Sequence, residues 1–157
     1  MPEILDSDVA GLLADPSTVK VLVTVGEDGT PHAVIKQSLY LAADGNLAYL
    51  ELLESSHTNR NMVRSIWYHR RVAILLKGKQ GESYQIKGTP VKAIVSGPVF
   101  QHHYTRIRYQ LGDVDLAAVW VIVPEAVIDE SYAVRKAQEE SRHPHWLHLD
   151  RLAKQSV

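Results

Sequence analysis

The chain has 157 residues, no cysteine and a formal net charge of −1. This length fits one domain able to bury its own core. The composition leaves no thiol for a disulfide or thiolate metal site, no field to gather nucleic acid or an anionic membrane, and no apolar run near the roughly 20 residues that a membrane helix needs. The N-terminal segment carries acids and no basic flank, so it does not read as a secretory signal, and a cytoplasmic setting is expected.

Residues Pro2–Ala14 read as a helix, with Asp6 or Ser7 able to cap it and Val9, Leu12 and Leu13 forming an apolar stripe. Asp15-Pro16 ends it. From Val19 to Val25 valines alternate with Lys20, Leu22 and Thr24, the period of a strand. Glu27-Asp28-Gly29 is a hairpin signal, and Pro31–Leu41 returns as a second strand. Asp44-Gly45 turns the chain into a third strand, Leu47–Leu53. A helix is predicted from about Asn59, with Met62, Val63, Ile66 and Trp67 on one face. Arg71–Lys77 is a fourth strand, and Ser83–Val95 a fifth with a bulge expected at Gly88-Thr89-Pro90. Phe100, His103, Tyr104, Ile107 and Leu111 define a further amphipathic helix. Asp115–Val123 is a sixth strand closed by Pro124, and the charged segment from Glu130 is partly helical. Six strands without a βα alternation favour a small closed barrel, mainly β with minor α. The whole chain, 1–157, reads as one domain with a core over about 9–123 and a helical tail over 130–157.

The chemistry concentrates where the third strand runs into the following helix, at Ser55-Ser56-His57-Thr58-Asn59. The first amides of a helix lack internal partners and, with the helix dipole, form an anion site. Ser56 and Thr58 hydroxyls and a cationic His57 suit a phosphate there. Serine and threonine at this place also serve as ordinary N-caps, and the segment fits both roles.

Four segments in order give the chain a family resemblance: "LLADPSTVKVLVTVGEDGTPHAV", "IKQSLYLAADGNLAYL", "SSHTNRNMVRSIWYHRRVAILL" and "YQIKGTPVKAI". Together they resemble the pyridoxamine-phosphate-oxidase-like, FMN-binding split barrels over roughly Val9–Val123. The resemblance implies a six-stranded antiparallel split β-barrel with flanking helices and a homodimer holding FMN at its interface. It places Ser56, His57, Thr58 and Asn61 at the phosphate, and Ile35, Lys36 and Gln37 along the flavin ring. Lys36 would then raise the flavin potential as a cation near the pyrimidine edge. Many relatives have Lys or Arg where this chain has His57, so Arg60 or Lys77 is a second source of charge. The Arg-containing C-terminal signature of true pyridoxamine phosphate oxidases is not matched by Arg151-Leu152, and that reaction is not expected.

The resemblance implies an FMN-dependent oxidoreductase whose substrate and catalytic residues the sequence does not name. A non-catalytic flavin carrier or sensor, or the same barrel holding haem or a deazaflavin, are the alternatives. His143, His145 and His148, taken with His102 and His103, match no metal-site spacing, and no metal is expected. Trp146 is either a docked tail residue or a ring closing over a neighbouring subunit's flavin. Dimerisation is expected also because the apolar run Leu116–Val123 is hard to cover within one small barrel.

Overall fold

The computed structural model describes residues 5–146. Its elements in chain order are α1 (Ser7–Ala14), β1 (Val19–Val25), β2 (Pro31–Ile35), β3 (Tyr40–Leu41), β4 (Leu47–Glu51), α2 (His57–Trp67), β5 (Val72–Lys77), β6 (Ser83–Ile94), α3 (Pro98–Leu111), β7 (Ala118–Asp129) and α4 (Tyr132–Arg142). The seven strands form one antiparallel sheet in the order β2–β1–β5–β6–β7–β4–β3. The chain passes straight from one edge strand, β2, to the other, β3, so the sheet curls on itself as a split barrel. The core is mainly β, as expected.

The count is seven rather than six because the predicted strand Pro31–Leu41 is broken at Lys36-Gln37-Ser38. Side chains stitch the gap on both sides. The Gln37 amide donates to Thr18 O at 2.9 Å, and its Oε1 accepts from Lys20 N at 2.9 Å, extending the β1 ladder. Ser38 Oγ accepts from Leu50 N at 3.1 Å and donates to Leu50 O at 3.3 Å, extending the β4 ladder. Lys20 points inward and donates its ammonium to Leu39 O at 2.8 Å. Burial without a carboxylate partner lowers its pKa.

β7 does not stop at Pro124 but runs through it to Asp129. Its register with β6 shifts between Lys87 and Gly88, so Glu125 is extra on β7 and Pro124 faces Gly88 where the ladder is already interrupted. A proline costs least there, because no ladder amide is lost. Glu125 turns outward to pair with Arg71 at 2.9 Å.

Leu22, Tyr49, Ile74, Leu76, Ile86, Trp120 and Ile122 fill the barrel, with Val9 of α1 and Met62 of α2 closing it. Each such side chain contributes about 1.5–3 kcal/mol. A second cluster lies outside, where Ile107 of α3 covers Ala48, Leu50, Leu116 and Val119. Leu111 is exposed and is not part of it. Both faces of Leu116–Val123 are thus largely covered within the chain, and that run is not the apolar surface left over. The uncovered surface is elsewhere: β1 buries Lys20, Leu22 and Thr24 and turns its valines outward, where Val19, Ile35 and Leu75 are exposed. On α2 the inward face is Thr58, Asn61, Met62 and Ser65, whereas Val63 and Trp67 face out.

Candidate functional site

The start of α2 is tied to three strands. Ser56 is the N-cap: its Oγ accepts from Asn59 N at 3.0 Å and donates to Glu51 Oε1 at 3.1 Å. Asn59 Oδ1 accepts from Trp120 Nε1 at 2.9 Å, and Asn61 Nδ2 donates to Thr24 Oγ1 at 3.0 Å. The amides of His57 and Thr58 have no acceptor among the described residues. Beside them an open cleft of about 590 Å³ separates α2 from the β1–β2 hairpin. His32, His57, Arg60, Asn61 and Arg64 line it, with Glu27 and Asp28 at the hairpin tip. The His32 and His57 rings lie 5.7 Å apart. Arg64 is paired with Glu27 at 3.4 Å, and Arg70 fixes the hairpin by donating to Gly26 O at 2.9 Å. Asp28 is held below the usual carboxylate range by hydrogen bonds from Thr30. Arg60 has no ion-pair partner among the described residues.

The residues singled out in sequence divide between two places. His57 and Asn61 line this cleft; the Ser56 hydroxyl is engaged as a cap, and Thr58 is buried behind the first turn. Ile35, Lys36 and Gln37 line a second, larger cavity of about 830 Å³. Ile35 is exposed on β2, and the Gln37 amide is engaged with β1. The link between the two sets is Glu51, 1% exposed and not singled out in sequence. Its carboxylate accepts from Lys36 Nζ at 3.2 Å, from the Ser56 hydroxyl at 3.1 Å and from Leu53 N at 3.2 Å. Lys36 is therefore not a lone cation. The available signal was an acid inside the apolar run Leu47–Leu53, on the inward period shared with Leu47 and Tyr49. Lys77 lies opposite Val19, at the far end of β1 from Thr24 and Asn61, so the extra cation at the cleft is Arg60. His143 stacks on Trp146 at 3.6 Å, and His148 lies outside the described residues.

The second cavity also holds the one buried histidine among the described residues. His103 Nδ1 faces Arg106 NH2 at 3.1 Å, and its Nε2 faces the Tyr40 hydroxyl at 3.0 Å. Desolvation, Arg106 and His102 lower its pKa. The unfolded chain then binds a proton as pH falls below about 6.5 while folded His103 resists. Stability is therefore lost as pH drops through that window, by at most about 1.4 kcal/mol per pH unit for this one group. Urea unfolding at neutral and mildly acid pH should show a shallower acid loss in His103→Gln than in the parent chain; equal slopes would remove His103 as the cause.

No protein-family model matches the chain, and no curated protein is similar to it in sequence. Solved structures share its fold. HupZ of Group A Streptococcus is 18% identical, with a TM-score of 0.67 over 82% of this chain and 95% of that one. An FMN-binding protein of Syntrophomonas wolfei is 13% identical, with a TM-score of 0.62 over 78% of this chain and 83% of that one. A pyridoxamine 5′-phosphate oxidase-like protein of Lactobacillus delbrueckii is 17% identical, with a TM-score of 0.60 over 80% of this chain and 94% of that one. An F420 reductase and the haem storage protein HutZ of Vibrio cholerae share the fold too, at TM-scores of 0.58 and 0.55. The chain thus has the pyridoxamine-phosphate-oxidase-like split-barrel fold, which carries several different ligands. No helix among the described residues is long and apolar enough to cross a membrane.

Proposed function

We propose that this chain binds FMN, with the phosphate in the cleft at the start of α2 and the flavin ring toward β2, and that it acts as a flavin-dependent oxidoreductase. The observation that supports this most is a helix start whose His57 and Thr58 amides have no acceptor among the described residues, next to a cleft lined by His32, His57 and an Arg60 with no ion-pair partner among them. Helix amides, dipole and guanidinium all favour an anion there. Bound flavin would supply the electron-transfer chemistry; the protein's part is to hold the phosphate through Arg60, His57 and the first turn of α2. His103, the buried histidine of the larger cavity, has both ring nitrogens engaged and so offers none to ligate an iron.

Arg60→Gln tests the phosphate assignment. A hydrogen bond to a charged group is worth about 1.5–3 kcal/mol, and exposed Arg60 belongs at the low end. FMN affinity should fall about tenfold, with riboflavin affinity and the apo melting temperature unchanged. Equal losses for both flavins, or no loss, would count against it.

The uncovered β2–β1–β5 face supports a homodimer. Val21 pairs with Ile35 on one side and Leu75 on the other, and Val23 with Ala33 and Ala73, giving a contiguous apolar surface. Light scattering should report twice the mass of one chain, and Val21→Glu with Leu75→Glu should report one. A monomeric parent chain would rule the dimer out.

A further inference from the structure

The larger cavity contains a hydrogen-bond chain with one end left open. α3 places His103 and Arg106 one turn apart, above Tyr40 of β3. A guanidinium has donors and no acceptor, so the contact from Arg106 NH2 at 3.1 Å requires an unprotonated His103 Nδ1. The neutral ring then carries its proton on Nε2 and donates it to the Tyr40 oxygen at 3.0 Å. The hydroxyl's own hydrogen remains, and no acceptor for it exists among the described residues. The chain runs from a cation through a polarised imidazole to a phenolic O–H donor.

The surroundings select what that donor meets. The cavity, about 830 Å³, is lined by three cations, Lys20, Lys36 and Arg106, and by no Asp or Glu. Glu51 compensates Lys36, while Lys20 and Arg106 have no carboxylate partner among the described residues. Ile35, Leu52 and Leu111 supply apolar wall. An acceptor of negative charge on an apolar body matches both features.

We propose that this cavity binds a small organic carboxylate, whose carboxylate oxygen accepts from the Tyr40 hydroxyl while Arg106 acts through His103 as a positioning residue. Ile35, Lys36 and Gln37 border the same cavity. The bound molecule is therefore the substrate of the proposed flavin site; that role rests on the flavin reading, whereas the binding does not.

Phenylacetate and its uncharged counterpart phenylacetamide serve as probes, titrated against the full chain freed of flavin and followed by ring-nitrogen NMR of His103. Phenylacetate should bind saturably at about 1–10 mM, in keeping with its few atoms, shift the His103 nitrogens, and exceed phenylacetamide by about tenfold. The His103 spectrum should show the Nε2–H tautomer in the parent chain and a mixture in Arg106→Gln. Tyr40→Phe should weaken phenylacetate about ten- to a hundredfold, as a lost hydrogen bond to a charged group requires. Arg106→Gln keeps the hydroxyl and should weaken it less, with melting unchanged. Equal binding of both probes, no saturable shift up to about 10 mM, or an unaffected Tyr40→Phe would overturn the proposal. FMN titration of the same samples separates the two readings: phenylacetate binding without FMN binding would sink the flavin assignment alone, and the reverse would sink this one alone.

Discussion

Glu51→Ala is expected to lose about 3–5 kcal/mol of stability and most flavin-phosphate affinity. The carboxylate is 1% exposed and accepts three hydrogen bonds. Removing it leaves the Lys36 ammonium, 18% exposed, without its counter-ion, and it leaves the Leu53 amide and the Ser56 hydroxyl without acceptors. The Ser56 cap then loses the contact that orients it, and the first turn of α2 loosens. Glu51→Gln should be milder, because its carbonyl oxygen can still accept from Ser56 and Leu53 while only the ion pair is lost. Adding Lys36→Met to Glu51→Leu should recover much of the stability, since an apolar pair of similar volume avoids stranding a charge. Urea unfolding of the four variants checks this; a Glu51→Ala loss under about 1 kcal/mol would show that the network carries little energy.

Gly88→Ala is expected to cost about 2–3 kcal/mol. A Cβ there would sit 2.8 Å from Val123 O and 2.8 Å from Ile122 Cγ2, both in the β6–β7 seam. The carbonyl is backbone within a ladder, so relief requires moving β7 itself. Gly11→Ala gives the opposite sign: the added Cβ on the exposed face of α1 meets nothing within 4 Å. It should stabilise by about 0.5–1 kcal/mol through helix propensity. Melting curves that placed the two substitutions on the same side of the parent chain would contradict this packing.

The parts of the fold that were legible in sequence are those where local chemistry decides. Gly29 and Gly45 sit at φ +85° and +87°, and both hairpins form where the turn residues predicted them. The alternation of β1 was plain, but not which side faces in. The mixed side is buried because Lys20 donates to Leu39 O and Thr24 accepts from Asn61; the purely apolar side turns outward. The break after Ile35 was hidden because Gln37 and Ser38 side chains imitate ladder bonds, and a residue type does not show where its side chain will be used. Pro124 misled for a related reason: it is a stop signal only where its amide would have paired, and the bulge at Glu125 removes that requirement. At the site, the helix start was legible to within two residues, about Asn59 in sequence against His57 in the fold. The contribution of His32 was not, because it arrives from β2, distant in sequence; Glu51, five residues before Ser56, showed only as an acid on the inward period of β4.

The phosphate site is tested most directly by one equilibrium measurement: the affinities of the purified full chain for FMN and for riboflavin, which lacks the phosphate, under the same conditions. If the cleft between α2 and the β1–β2 hairpin holds the phosphate, FMN should bind about ten- to a hundredfold more tightly than riboflavin. Equal affinity for the two, or binding of neither, would contradict it.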